Sequence, residues 1–160
     1  MLENPVVTSV THDAQTVVIK LEGVPPGSEF LAQLFEQLAE KGVVVDIITQ
    51  SLHKDDQSLA FSIPEEDLPQ VEMLLKAFLK SSQNVEVVRD MAKLSVVGVG
   101  MKNHPGVASR FFSALNKQSV RIHLVTTSDI KISAVVSRSD LKKAAEALHA
   151  EYGLDHVQAN

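Results

Sequence analysis

The residues best placed to do chemistry lie together between positions 94 and 133. The core of this stretch reads Ser95-Val-Val-Gly-Val-Gly-Met-Lys-Asn-His-Pro-Gly-Val-Ala-Ser-Arg-Phe-Phe. Leu94, Val96, Val97 and Val99 have the character of a strand, a loop of Gly, Asn and Pro follows, and Ala108, Phe111, Phe112 and Leu115 then recur at helical spacing. A loop that opens a helix presents backbone N–H groups that no carbonyl of that helix reaches, and the helix dipole adds partial positive charge there. The chemistry implied is noncovalent capture of a small anionic group, a carboxylate or a phosphate. Asn103-His104-Pro105-Gly106 also fits a ligand-free alternative, a helix N-cap followed by a first-turn proline.

Other chemistries find little support. There is no Cys, which excludes a disulfide scaffold, a thiolate metal site and a cysteine nucleophile. His104 has no nucleophile at a spacing that makes a nucleophile-base pair, so no catalytic residue is expected. Gly98-Val-Gly100 lacks the third glycine of a dinucleotide loop, and no P-loop pattern occurs. His53 with Asp55 and Asp56 reads as a solvated turn rather than a set of metal ligands, and Glu65 and Glu66 as first-turn helix acids. Neither a metal nor a cofactor is expected. A net charge of −5, 15 scattered Lys and Arg and 4% aromatic residues give no basis for nucleic-acid binding. No apolar run approaches the ~18 residues that span a bilayer. The start, Met-Leu-Glu-Asn-Pro, lacks the basic and apolar regions of a signal peptide. The expectation is a cytoplasmic protein without membrane contact.

The surrounding elements follow from periodicity. Strands are predicted at 6–11, ended by His12-Asp13, and at 16–21. Gly23-Val-Pro-Pro-Gly-Ser then leads into a helix over 28–41 with Leu31, Leu34, Phe35 and Leu38 on one face and Gly42 as its stop. A buried strand at 43–49, a polar turn at 52–57 and a strand at 59–63 follow. Pro64 starts a helix that buries Leu68, Val71, Leu75 and Phe78, and 85–88 closes this half. The second half places strands at 94–99, 120–126 and 130–136 and helices at 106–117 and 139–152, the last with Leu141, Ala144, Ala145 and Leu148 inward.

These halves are an internal repeat. Leu31, Phe35, Leu38, Val43 and Val45 stand at one constant offset from Ala108, Phe112, Leu115, Val120 and Ile122. Asp67, Leu68, Val71 and Leu75 stand at a slightly shorter one from Asp140, Leu141, Ala144 and Leu148, so one turn is shortened. The class is α+β, two ferredoxin-like β-α-β-β-α-β modules. The tail Leu154-Asp-His-Val-Gln-Ala-Asn is too short and polar for the second module's last strand, whereas the chain begins with a surplus one. The first module (14–90) is therefore inserted within the second (91–160), whose sheet is completed by the N-terminal strand at 5–12.

The run from Lys93 to Ala108, followed by Val120-Arg-Ile-His-Leu-Val-Thr-Thr-Ser-Asp-Ile-Lys-Ile-Ser, closely resembles the second ACT domain of aspartate kinase. Leu21-Glu-Gly-Val-Pro, Val45-Asp-Ile-Ile and Gln50 resemble that family's first ACT domain, and the inserted topology is also the family's. The family's amino-acid kinase domain has no counterpart in these 160 residues. The resemblance implies a regulatory region or β subunit that forms a homodimer through its ACT domains and works with a kinase catalytic domain or α subunit. It further implies that lysine or threonine binds between paired ACT domains for feedback inhibition of lysine, threonine and methionine synthesis. The effector candidates that the resemblance supplies are Met101, Asn103, His104, Pro105, Gly106, Val107, Ile122, Thr127, Ser128, Asp46 and Gln50. Lys102 and Asp129 belong to the same motifs. Three positions depart from the family pattern: Pro26 stands where the first loop usually has Asp, and Val44 and Arg121 stand where the following strands carry Asn. Arg121 has the alternatives of pairing with Asp46 or Asp129 across an interface or being a solvated strand residue. The departures support a second possibility, a structural dimerisation module with a degenerate pocket.

Overall fold

The computed structural model describes residues 6–154, and its chain divides into two compact units. One comprises Gln15–Arg89; the other combines the chain up to Ala14 with the chain from Asp90 onward. Ten principal elements follow in order: β1 (Val7–Val24), α1 (Ser28–Glu40), β2 (Ile48–Leu52), β3 (Gln57–Pro64), α2 (Leu68–Phe78), β4 (Asn84–Gly98), α3 (Val107–Lys117), β5 (Ile122–Thr127), β6 (Lys131–Ser137) and α4 (Leu141–Glu151). Single 3-10 turns precede α2 and α4, at Glu65–Asp67 and Arg138–Asp140, and a third, Met101–Asn103, lies in the loop before α3.

In the inserted unit β3 pairs antiparallel with both β1 and β2, with Ile19 opposite Phe61 and Gln50 opposite Leu59. Alternate strand residues point to one face, where α1 and α2 cover them. Val17, Ile19, Leu21, Phe61 and Ile63 thereby share a core with Phe30, Leu34, Leu38, Val71 and Leu75. The stretch 43–47 is extended but not a strand, and it is not buried throughout as its apolar composition predicts. Val43 and Ile47 are buried, whereas Val44 is 71% exposed. Residues 46 and 47 attach to β3 through Ser62, whose carbonyl accepts from Asp46 N and whose hydroxyl accepts from Ile47 N. The strand proper starts at Ile48, and β2 pairs along one side only, with β3.

In the second unit β6 pairs antiparallel with β4 and β5, placing Ser95 opposite Ser133. Both serines are buried and satisfy each other through hydroxyls 2.7 Å apart. The start of β1 lies on the other side of β4, giving the order β1-β4-β6-β5. The Thr8 hydroxyl donates to the Val97 carbonyl at 3.3 Å, and Val7 joins Leu94, Val96, Phe111, Leu115 and Leu148 in the core. The N-terminal strand therefore completes the second sheet, as the surplus strand predicts. Pro5 and the tail from 155 lie outside the described residues.

Two separations drawn from the sequence are corrected. His12-Asp13 does not end a strand, because β1 runs unbroken from Val7 to Val24; exposed His12 and Asp13 turn their side chains to solvent while the backbone stays extended. Likewise 85–88 and 94–99 are not two strands but parts of β4, through which the chain passes from one unit to the other. The inward stripe of α3 also shifts. Phe111, Ala114 and Leu115 are buried, but Ala108 is exposed and Phe112 is 41% exposed.

Gly98 marks the tightest point of the second sheet. A Cβ there would stand 1.8 Å from the Val6 carbonyl oxygen, which is backbone and has no rotamer with which to yield. The Gly98→Ala variant is expected to lose about 1–3 kcal/mol, the usual cost of overpacking. Denaturant unfolding measures this loss, and an unchanged midpoint would show that the N-terminal strand does not hold this position.

Candidate functional site

β4 ends at Gly98, and the chain enters the loop that the glycines predict. Gly98 N donates to Ile130 O (2.8 Å) and Met101 N to Asp129 O (3.1 Å), which fastens the loop to the turn between β5 and β6. Met101 is buried beneath it as part of the core. Gly106, with φ +96°, turns the backbone into α3 and is its N-cap. That left-handed conformation suits a residue without a Cβ. Asn103 is therefore not the cap; its N–H donates to Gly100 O at 3.0 Å, and it ends the 3-10 turn. The first helical hydrogen bond runs from Arg110 N to Gly106 O (2.9 Å), so the N–H groups of Val107, Ala108 and Ser109 lie ahead of it at the positive end of the helix.

An open cavity of about 420 Å³ lies at this end. Met101, Lys102, His104, Pro105, Gly106, Val107 and Ala108 line one side, and Thr127, Ser128, Asp129 and Ile132 the other. Of the eleven candidates, Met101, His104, Pro105, Gly106, Val107, Thr127 and Ser128 thus come together. Asn103 and Ile122 do not line the cavity, and Asp46 and Gln50 belong to the other unit. Ala108 and Ile132 were missed, because Ala108 carries the periodicity of a core residue and Ile132 that of an ordinary strand position. Lys102 Nζ stands 3.4 Å from Asp129 Oδ2 at the exposed rim. His104 Nδ1 lies 2.9 Å from Gly100 O. Since a carbonyl only accepts, Nδ1 carries the proton and Nε2 is the acceptor in the neutral ring. Behind α3, the buried Tyr152 donates its hydroxyl to Val107 O at 2.8 Å, while Arg110 Nε bonds Glu151 Oε1 at 3.0 Å and the guanidinium lies 5.0 Å from the Tyr152 ring centre.

The corresponding loop of the inserted unit differs. Gln57 is fully buried, and its Nε2 donates to Pro25 O (2.7 Å) and Gly27 O (3.1 Å), while Gln50 Nε2 donates to its Oε1. The carboxamide thus occupies two loop carbonyls, and Gln50 is tied to it. A smaller hollow of about 220 Å³ beside Pro25, Pro26, Glu29 and Phe30 contains neither glutamine. Nothing in the sequence singled out Gln57, which closes a polar turn and carries no apolar mark of burial. Among the described residues no group of His, Asp and Glu is arranged to hold a metal ion, and His53 Nε2 lies 3.1 Å from the Ser58 hydroxyl instead. No helix among them is long and apolar enough to cross a membrane.

The ACT domain family model matches residues 94–152, the β4-to-α4 stretch that builds the cavity. An aspartokinase of Helicobacter pylori is 36% identical over 155 residues, covering 96% of this chain and 38% of its own length. The chain thus spans about two fifths of the curated relatives it matches. Among solved structures, the ligand-free regulatory subunit of aspartate kinase from Thermus thermophilus superposes with a TM-score of 0.84 at 29% identity, over 91% of this chain and 99% of that one. The aspartate kinase of Synechocystis gives a TM-score of 0.89 at 35% identity, over 98% of this chain and 28% of that one.

Tyr152 gives the site a spectroscopic handle. Burial pushes its hydroxyl up from 10.0 to about 12, the nearby Arg110 guanidinium opposes the rise and the Glu151 carboxylate adds to it. The folded chain therefore holds the phenolic proton more tightly than the unfolded chain. This contribution to stability is complete below pH 10 and is lost as the pH climbs through about 12. As Tyr152 is the only tyrosine and there is no Trp, tyrosinate absorbance reports it alone. The expected midpoint is near 12 in the folded chain and near 10 in denaturant; a folded midpoint near 10 would place the hydroxyl in solvent.

Proposed function

We propose that this chain, which is similar over nearly its whole length to the regulatory region of aspartate kinases, binds threonine or lysine through the second loop for feedback inhibition of the kinase. The observation that carries this reading is the cavity at the start of α3, which gathers loop, helix terminus and the Thr127-Ser128 turn. A free amino acid needs donors for its carboxylate and acceptors for its ammonium. The leading N–H groups of α3 and Lys102 supply donors. Asp129, the carboxylate among the lining residues, supplies an acceptor, and the hydroxyl oxygens of Thr127 and Ser128 stand beside it.

The charge balance favours threonine over lysine. Asp129 already faces Lys102, and the helix terminus adds positive charge, so a second ligand ammonium meets no further carboxylate among the lining residues. The threonine hydroxyl meets Thr127 and Ser128 instead. In the whole protein two copies pair through their ACT domains, and the bound amino acid acts on the ATP-dependent phosphorylation of aspartate by a kinase domain or α subunit. Inhibition requires that the effector bind the inactive arrangement more tightly than the active one. The second possibility, a dimerisation module with a degenerate pocket, draws its support from the first loop, where Gln57 takes the carbonyls that an ammonium would need.

Thermal unfolding and calorimetry of the chain with threonine, lysine, methionine, isoleucine and aspartate test the reading. At a hundredfold excess over its dissociation constant, a ligand of the folded state adds about 2.7 kcal/mol, or roughly 5–11 °C for a chain of this size. Threonine is expected to give this rise, lysine a smaller one, and Ser128→Ala to diminish it. If no amino acid binds while the chain remains a folded dimer, the dimerisation reading replaces this one.

A further inference from the structure

The candidate cavity is only as well defined as the first turn of α3, and that turn has an unusual support. Its N-cap, Gly106, has no side chain with which to cap the helix. Helices commonly fix this end with a Ser, Thr, Asp or Asn oxygen, worth about 0.5–2 kcal/mol. Here the bracing comes from behind. Tyr152 is the residue on which α4 ends, and its hydroxyl reaches Val107 O, the carbonyl of the first helical residue. One turn further along α3, Arg110 bonds both the carboxylate and the backbone carbonyl of Glu151 and stacks over the Tyr152 ring. The end of α4 thus grips α3 at positions 107 and 110.

We infer that Tyr152 is a positioning residue for the second-loop site, holding the first turn of α3 so that the N–H groups of Val107, Ala108 and Ser109 stand where a ligand carboxylate meets them. Val107 and Ala108 line the cavity on one side of the turn, and Tyr152 bonds the turn from the other without lining the cavity itself. Its hydroxyl is satisfied only while α3 begins at that place. A turn that moved outward would strand a buried polar group, an expensive outcome in a partly dehydrated setting. The charged groups facing the hydroxyl are the Arg110 guanidinium from α3 and the Glu151 carboxylate from α4. This inference rests on the effector reading for its consequence, but its structural half does not depend on any ligand.

Tyr152→Phe, which keeps the ring and its packing and removes the hydroxyl, separates the two. In the ligand-free chain, amide hydrogen exchange at Arg110, Phe111 and Phe112, the first hydrogen-bonded amides of α3, is expected to quicken roughly fivefold to tenfold, the equivalent of one lost hydrogen bond, with β4 and β6 unchanged. Calorimetry with threonine is expected to show a dissociation constant raised by a similar factor. Unchanged exchange at these three amides, or a rise spread evenly over the unit, would overturn the positioning role. Faster local exchange with unaltered threonine affinity would also overturn it, showing that the turn does not set the site. If threonine fails to bind even the unaltered chain, the effector reading falls by itself, and with it the role of Tyr152 in binding, whatever the exchange shows of the turn.

Discussion

The second unit depends on one backbone approach, that of the N-terminal chain at Val6 to Gly98. The C-terminal part of the chain supplies two helices and the strands β4, β5 and β6, and the fourth strand comes from the opposite end of the sequence. That strand closes over β4 where glycine leaves room, and it contributes Val7 to the core. Gly98 is also the last residue of β4 and opens onto the loop that lines the cavity. One small residue therefore admits the completing strand and fixes the point from which the candidate site departs.

From there the site is assembled by backbone more than by side chains. Two hydrogen bonds tie the loop to the β5–β6 turn, Gly106 turns the chain into α3, and Tyr152 steadies the first turn from behind. Such a site captures and releases a ligand without covalent chemistry. Its proposed use as a sensor needs only that the two sides of the cavity stand differently in two states of a larger assembly. The repeat shows how the same place in the fold takes another course: in the inserted unit a buried carboxamide occupies the loop carbonyls, so that loop is stabilised by the chain itself. Duplicated modules of one architecture thus carry a filled loop and an open one.

Much of this was legible in the sequence. Apolar periodicity located α1 to α4, the constant offsets revealed the repeat, and the count of strands disclosed the insertion. The glycines, Asn103 and Pro105 marked the loop, and the family resemblance joined it to Thr127 and Ser128, which no local pattern would have paired. Other features were hidden for physical reasons. His12 and Asp13 look like a strand end because polarity suggests a turn, yet a strand tolerates polar side chains wherever it faces water. Val44 and Phe112 look buried because of their composition, but Val44 lies in the stretch before β2 that joins no strand, and Phe112 stands off the inward face of α3. Gln57 and Tyr152 act through partners remote in sequence, Pro25 and Val107, and only the folded chain brings these together.

The central claim, that the open loop and not the filled one takes the amino acid, is tested most directly by following the backbone amides of the nitrogen-15-labelled chain by NMR as threonine is added. The account predicts saturable shifts concentrated at Val107, Ala108, Ser109 and Ser128, with the amides of Gly27, Ser28 and Glu29 unmoved. Shifts centred on the first loop, or no saturable shift anywhere, would contradict it.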